Sequence, residues 1–233
     1  RNIMEKNGWR DLYIVDTLAD SVIYSVGKRI DFGTSMEDGP FKDTGLAKAY
    51  RLAKAAKQGE VAMVDFESYI PADGAQALFM ATPIFIDGSL EGVIVIQIPN
   101  NEINRVMTSE KKWASIGFGS TGETYLVGND GTLRSETRTM IENKKDYLSF
   151  LASEDTDSKI MKQIEIFDSG IGLHRIDTSS AHAAANGEEG EAVIDGHQGE
   201  KVFSSFGKLN IPGLNWYIIC EMNVDEAMQP TYN

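Results

Sequence analysis

The chain has 233 residues, of which 42% are hydrophobic and 24% charged, and its formal net charge at pH 7 is −13. The hydrophobic fraction excludes a disordered chain, and the negative charge argues against nucleic acid or an anionic membrane surface as a partner. The one cysteine, Cys220, lies in the apolar segment WYIIC and is predicted to be a packed thiol. The sequence starts at Arg1 and contains no apolar run of about 18 residues, so we expect a fragment whose signal peptide or membrane span lies outside it.

Strands are predicted first along the chain. Residues 11–26 (DLYIVDTLADSVIYSV) are typical of two strands around a short turn. Tyr24 lies in the second strand, where its ring faces either a pocket or the core. The segment 31–41 (DFGTSMEDGPF) follows, and its Asp31 and Thr34 are either residues of a pocket wall or ordinary residues at the entry to a helix.

A helix and an acidic, aromatic loop come next. The alanine- and lysine-rich segment 43–59 predicts a helix that ends at its last residue, a glycine. Beyond it, segment 64–74 (VDFESYIPADG) leaves a strand and carries Asp65, Phe66 and Tyr69. An acid and an aromatic ring over a sheet suit a small polar ligand with an ammonium group. The alternative is a turn with a capping aspartate and one packed ring.

The segment 78–98 (LFMATPIFIDGSLEGVIVIQI) predicts two further strands, the second almost entirely apolar. Gln97 interrupts that second strand on the face that alternation also assigns to Val93 and Val95. A buried amide needs hydrogen-bond partners, which either a ligand or a neighbouring loop backbone would supply. Phe79, near the start of the segment, is a further candidate for the pocket lining.

The chain contains an internal repeat. Segments 78–98 and 202–222 align without a gap, and Gln97 then falls on Glu221. Near the start of each half, LYIVD echoes TYLVG. Two copies of a unit of about 100 residues predict two similar domains rather than a solenoid.

The predicted fold is therefore α+β, with two PAS-like domains that are each a five-stranded antiparallel sheet flanked by helices, joined by a helical linker. The predicted boundaries are 1–100 for the first domain, 101–116 for the linking helix and 117–233 for the second domain. Within the second domain, the sequence predicts a hairpin over 123–137 and a helix over 158–167.

Residues 117–122 read GFGSTG, a match to the glycine pattern that binds the pyrophosphate of a dinucleotide. That function requires a strand before the motif and a helix after it. Here a helix precedes the glycines and a strand follows them, so the sequence predicts a turn into the sheet and no bound dinucleotide. At the end of the chain, Asn223 and Glu226 have the spacing of a capping box at a helix start.

Residues suited to catalysis or metal binding do not form a recognisable pattern. The three histidines, His174, His182 and His197, have no spacing of three or four residues between any two, and solvated loop positions are expected. Arg134 and Arg138 either bind an anion or are exposed strand charges paired with Glu136 or a cross-strand acid, and the second interpretation is favoured. We expect no catalytic residue, no cofactor and no metal ion.

The sequence resembles the double-Cache domain, the tandem PAS-like extracytoplasmic sensor of bacterial receptors. The resemblance lies in the segments 9–16, 31–41, 92–98, 120–138 and 211–227. It implies a membrane-distal domain that holds the pocket and a membrane-proximal domain that relays the signal. It also implies a homodimer, anchored in the membrane by segments outside this sequence, with the domain in the periplasm or outside the cell.

The function that this resemblance implies is small-molecule sensing, as part of a methyl-accepting chemotaxis protein, a sensor kinase or a cyclase, the first being favoured. The alternative is a soluble enzyme or a cofactor-binding PAS protein. The predicted pocket residues are in the first domain: Tyr24, Asp31, Thr34, Asp65, Phe66, Tyr69, Phe79 and Gln97. Double-Cache domains that bind amino acids share an Arg-x-Trp segment and a late aspartate, and this sequence has neither, since Gln97 stands at the aspartate's place.

Overall fold

The structure, a computed structural model, describes residues 2–229. It divides into two compact units, one formed by the residues up to Glu102 with Pro212–Leu214 and the other by Ile103–Ile211 with the residues from Asn215 onward. Each unit contains one antiparallel sheet, which confirms the α+β class. Residue 1 of the first predicted domain and residues 230–233 of the second lie outside the described residues.

The first sheet has five strands, as predicted. They are β1 (Asp11–Asp16), β2 (Val22–Ser25), β3 (Ala62–Tyr69), β4 (Ala75–Ile86) and β5 (Ser89–Ile98). Their order in the sheet is β2-β1-β5-β4-β3, and every neighbouring pair is antiparallel. Burial alternates along β1 and along the second half of β5, so that Gln97 shares the buried face with Val93 and Val95.

The helices of this unit are α1 (Asn2–Asn7) and α2 (Gly45–Lys54), and a 3-10 helix spans Ile70–Ala72. Helix α2 covers the buried face of β3, β4 and β5. Its first residue, Gly45, allows the helix to lie close to β4, because a Cβ atom there would be 2.9 Å from the ring of Phe79. The helix ends five residues before the predicted end, at Lys54, and the chain then turns through Gly59 at a φ of +85°.

The second sheet has four strands in the part of the chain that the structure describes. They are β6 (Glu123–Gly128), β7 (Gly190–Asp195), β8 (Lys201–Lys208) and β9 (Trp216–Asn223). Their order is β6-β9-β8-β7, again antiparallel. Five strands were expected here, and the missing one is the second strand of the hairpin predicted over 123–137.

The chain does turn back beside β6, but the ladder stops after one bridge, between Val127 and Leu133. Arg134 N donates to the carbonyl of Leu126, whereas the N–H of Leu126 donates to the side-chain hydroxyl of Ser135. A side chain thus takes the hydrogen bond that a fifth strand would have made through its backbone.

The segment predicted as one linking helix over 101–116 contains α3 (Asn100–Met107) and two 3-10 helices, Ser109–Lys111 and Trp113–Ile116. The residues of the first 3-10 helix, Ser109, Glu110 and Lys111, all have positive φ angles. A continuous α-helix does not permit this conformation. The other helices of the second unit are α4 (Arg138–Glu142), α5 (Lys144–Ser153), α6 (Ser158–Phe167), α7 (Ser179–Ala185) and α8 (Val224–Ala227). Helix α6 has its predicted bounds. Within the described residues, no helix has the length and apolar character needed to span a membrane.

Candidate functional site

Four of the predicted pocket residues meet on the buried face of the first sheet. The hydroxyl of Tyr69 donates to Oδ2 of Asp31. The ring of Phe79 packs edge-on against Tyr69, with 5.0 Å between centroids, and Phe79 lies opposite Gln97 in the β4–β5 pairing. All four side chains are at most 2% exposed, so the site is built into the core between the sheet and segment 31–41.

Two further polar residues belong to the same site and were not predicted. Asp11 lies directly opposite Gln97 in the β1–β5 pairing, and Tyr13 lies two residues further along β1, with its ring 6.5 Å from Phe79. Both are fully buried. The alternation in DLYIVD assigns Asp11 to the same face as Tyr13, and this signal could have identified it. We call Asp11, Tyr13, Asp31, Tyr69 and Gln97 the first-sheet cluster.

The first-sheet cluster contains polar atoms that lack partners. Asp11 Oδ2, Asp31 Oδ1 and Gln97 Oε1 are buried and have no hydrogen-bond partner among the described residues. The other oxygen of Asp11 accepts from the backbone N–H of Gly27, at 3.0 Å, and of Leu12. Each unsatisfied buried group costs about 1–3 kcal/mol. Three such acceptors in one place would suit a group rich in hydrogen-bond donors.

The pKa shifts in the first-sheet cluster also favour a positively charged partner. Burial raises the pKa of the Asp31 carboxyl, and the nearby charge of Asp11 raises it further, although the hydrogen bond from Tyr69 and the charge of Arg29 oppose this. Burial and the negative charges of Asp31 and Asp11 raise the pKa of the Tyr13 phenol. A bound cation would favour the ionised form of Asp31 and would offset the negative charge of this site.

The remaining four predicted residues have other positions. Thr34 lies beside the cluster, but its hydroxyl donates to the backbone carbonyl of Asp31, at 2.7 Å, as a residue in a turn does. Tyr24 is 43% exposed. Asp65 and Phe66 occupy a register shift between β3 and β4, where the Asp65 carboxylate accepts from Phe66 N. The structure brings Asp11 and Asp31, rather than Asp65, to the cluster.

Two of the three histidines are buried, so the expectation of solvated loop positions is wrong for them. His174 is 7% exposed and its Nδ1 lies 2.8 Å from the Tyr147 hydroxyl, and burial lowers its pKa to about 3. The side chain of His197 is 4% exposed and its Nε2 lies 2.8 Å from Oε1 of Glu123. Of the three histidines, His182 alone is exposed to solvent as predicted, and it pairs with the exposed Asp177.

His197 joins two glutamates that lie directly opposite each other, Glu123 on β6 and Glu221 on β9. We call these three residues the second-sheet cluster. Burial alone would raise the pKa of Glu123, but His197 and the backbone N–H of Arg138 outweigh burial and lower it. Burial alone would lower the pKa of His197, and the Glu123 carboxylate outweighs it and raises that pKa. Burial and the charge of Glu123 raise the pKa of Glu221.

The glycine motif GFGSTG binds a carboxylate of this chain. The backbone N–H and the hydroxyl of both Ser120 and Thr121 donate to the carboxylate of Glu226, on α8. Gly119 has a φ of +51°, and a Cβ atom there would lie 2.2 Å from Glu226 Oε1. The close approach of Glu226 thus requires a glycine at position 119, and this carboxylate occupies the donors that a phosphate would need.

Glu226 consequently does not complete the predicted capping box. Asn223 caps α8 by accepting from Asp225 N, but the N–H of Asn223 donates to the Thr121 hydroxyl. Each of the two arginines pairs with an acid, Arg134 with Asp130 at 3.1 Å and Arg138 with Glu142 at 3.0 Å. The expectation of exposed strand positions is wrong, because both side chains are largely buried and Arg138 is the first residue of α4. Arg138 also donates to carbonyls of the glycine loop.

Comparisons with known proteins agree with this architecture. Over 100% of this chain and 78% of the other, the fold is similar to the ligand-binding domain of the Pseudomonas aeruginosa amino acid chemoreceptor PctB in complex with L-Arg (TM-score 0.58, 16% identity). The domain of PctC from the same organism, in complex with GABA, is similar over 96% of this chain and 77% of the other (TM-score 0.54, 16% identity).

The extracellular domain of rpHK1S-Z16, named as a histidine kinase, is similar over 98% of this chain and 76% of the other (TM-score 0.57, 10% identity). No curated protein matches the chain. The profile described as the Cache domain matches residues 2–231, which is nearly the whole sequence. The chain therefore belongs to the Cache domain family.

Proposed function

We propose that this chain is the extracytoplasmic sensing domain of a transmembrane receptor, and that its first unit binds a small ligand with an ammonium group at the first-sheet cluster. The observation that carries the proposal is the set of buried acceptors without partners: Asp11 Oδ2, Asp31 Oδ1 and Gln97 Oε1. An ammonium group has three donors and a positive charge, so it satisfies these acceptors and offsets the two carboxylates.

Aromatic rings complete the proposed site. The rings of Tyr13, Tyr69 and Phe79 lie next to the acceptors, and a cation gains further stabilisation from a ring face when it is shielded from water. Family membership and the amino acid ligands of PctB and GABA of PctC support a small amine as the ligand class.

Two contacts join the segments that we propose to close over the ligand. Tyr69 donates to Asp31, and Nη1 of Arg29 donates to the carbonyl of Pro71, at 3.3 Å. Both contacts connect segment 27–44 to segment 69–74. A ligand that prefers the joined arrangement over the separated one shifts the equilibrium between them, and a tenfold preference corresponds to about 1.4 kcal/mol.

The receptor that we favour is a methyl-accepting chemotaxis protein, dimeric and anchored by segments outside this sequence, with the first unit distal to the membrane and the second proximal. Similarity to the chemoreceptors PctB and PctC supports it, and similarity to rpHK1S-Z16 supports a sensor kinase as the second candidate. Deleting the gene should abolish taxis toward the ligand. Retained taxis, together with a ligand-dependent change in kinase activity, would favour the second candidate.

Ligand binding is tested by a thermal-shift screen of small amines and of matched carboxylic acids. A ligand at 100 times its dissociation constant adds about 2.7 kcal/mol of stability, which a melting curve detects easily. We expect amines and not acids to give shifts, and Asp31→Asn to abolish them. Asp38→Asn, an exposed aspartate in the same segment, is the matched control and should behave like the unsubstituted domain. Shifts with acids alone, or shifts unaffected by Asp31→Asn, would contradict the proposal.

A further inference from the structure

We infer that the second-sheet cluster, Glu123, His197 and Glu221, is a binding site for a divalent first-row transition-metal cation such as Zn²⁺. One imidazole nitrogen and two carboxylate oxygens form a mixed donor set that suits zinc and its neighbours, whereas Ca²⁺ and Mg²⁺ prefer oxygen alone. The sequence predicts no metal, because these residues are far apart in the chain and only the sheet brings them together.

The geometry requires little movement. One donor atom from each of the three residues lies within 4.8 Å of the other two, and tetrahedral Zn²⁺ with bonds near 2.1 Å places its donors roughly 3.4 Å apart. His197 Nε2 and Glu123 Oε1, at 2.8 Å, would separate slightly to admit the ion. The fourth position of such a site is ordinarily filled by water.

The pairing of the two glutamates indicates a missing positive partner. Tyr125 is fully buried two residues from Glu123, on the same face of β6, and its hydroxyl is close enough to interact with Glu221. Carboxylates directly opposite each other on neighbouring strands, such as Glu123 and Glu221, repel. A divalent cation between them would stabilise both carboxylates.

The surroundings orient the ligands and provide access. Oε2 of Glu123 accepts from Arg138 N, at 2.7 Å, and the Ser204 hydroxyl donates to Oε1 of Glu221, at 3.4 Å. The three residues line a cavity of about 200 Å³ whose lining also includes Glu142, Glu200 and Arg138, and a water occupies about 30 Å³. The cavity therefore accommodates a partly hydrated ion in an acidic environment.

The repeat shows how the two sheets differ. Asp11, Tyr13 and Gln97 in the first sheet occupy the same strand positions as Glu123, Tyr125 and Glu221 in the second. The second sheet thus has a carboxylate where the first has the amide of Gln97, and it adds His197. This exchange converts a site for an organic donor into a site for a metal ion.

His197 lacks a hydrogen bond that histidines in tight metal sites usually make. Its Nδ1 is buried without a hydrogen-bond partner among the described residues, whereas metal-bound histidines usually donate from the second nitrogen. Loss of such a partner costs 10–100-fold in affinity. We therefore expect a weaker site than a structural zinc site, suited to reversible binding.

The test is calorimetric titration of the EDTA-treated domain with ZnCl₂. We expect one Zn²⁺ per chain at this site, with His197→Gln and Glu221→Gln each weakening binding by more than about 100-fold, because ligands matter more than outer-shell partners. His182→Gln is the matched control, since His182 also contacts a carboxylate but is exposed, and it should change affinity by less than about twofold. Ca²⁺ and Mg²⁺ should not compete.

The inference is wrong if Zn²⁺ does not bind, or if His197→Gln leaves the affinity for Zn²⁺ unchanged, or if His182→Gln weakens binding as much as His197→Gln does. Should the two site variants fail to fold, Mn²⁺ added to the isotope-labelled, unsubstituted domain decides the matter by NMR. Selective broadening of resonances around Glu123, His197 and Glu221 supports the site, and broadening elsewhere or none overturns it. Neither result depends on the ligand of the first-sheet cluster.

Discussion

The contact between Glu226 and the glycine loop gives a prediction whose size follows from the structure. Glu226→Gln removes a charge and one of the two oxygens that accept from Ser120 and Thr121. The hydrogen bonds from the N–H groups and hydroxyls of Ser120 and Thr121 lower the pKa of Glu226 from 4.5 to about 2. This shift corresponds to roughly 3 kcal/mol. Because the contact is partly exposed, solvent screening reduces this figure, and we expect the variant to lose about 1–2 kcal/mol of unfolding free energy at pH 7.

The same contact predicts a pH dependence. The pKa of Glu226 is lower in the folded state than in the unfolded state, so its contribution is present in full above about pH 4.5. That contribution is lost as the pH falls from about 4.5 to about 2. The difference in stability between the unsubstituted chain and Glu226→Gln should therefore shrink across this range.

Urea unfolding at pH 7 and at about pH 3 measures both effects, and hydrogen exchange of the Ser120 and Thr121 amides reports the loop directly. Asp225→Asn is the control, since this neighbouring carboxylate is exposed and should leave the midpoint unchanged. Equal midpoints for Glu226→Gln and the unsubstituted chain at pH 7, with unchanged amide protection, would refute the reasoning.

Three further predictions concern packing and ligand choice. Gly45→Ala should lower the free energy of unfolding by about 1 kcal/mol, because the added methyl would overpack against Phe79 at a cost of about 1–3 kcal/mol, whereas the higher helix propensity of alanine returns at most about 1 kcal/mol. An unchanged or raised melting temperature would contradict this. Titration with NAD or FAD should show no binding, since Glu226 occupies the donors of the glycine loop, and saturable binding would disprove it. The ordinary amino acids should bind weakly, because the sequence has no Arg-x-Trp segment to hold their carboxylate and the buried carboxylates of Asp11 and Asp31 repel it. Submicromolar binding of one of them that Gln97→Ala abolishes would overturn that prediction.

Local sequence patterns predicted most of the fold because they reflect local physical constraints. Strand alternation placed Gln97 on the buried face, and helical periodicity gave α6 its bounds. The sequence could not reveal that the second sheet lacks the expected fifth strand. That strand does not form because the hydroxyl of Ser135, in place of a backbone carbonyl, accepts from the N–H of Leu126. No propensity for strand or turn encodes that competition.

The candidate sites were predicted less completely, because long-range pairing assembles them. Asp31 and Gln97 were identified as polar residues in apolar or glycine-containing surroundings, but Asp11 became a neighbour of Gln97 only through the β1–β5 register. His197 and Glu123 are far apart in sequence, and spacing rules for metal ligands recognise only ligands that are close together. The repeat that aligned Gln97 with Glu221 was the one signal pointing to the second-sheet cluster.

The most direct test of the proposed sensing function is a crystal structure of the domain with the amine that gives the largest thermal shift. We predict that the ligand's ammonium group donates to Asp11 Oδ2, Asp31 Oδ1 and Gln97 Oε1, the three acceptors that lack partners. A ligand bound elsewhere in the domain, with these three oxygens still unsatisfied, would contradict the proposal.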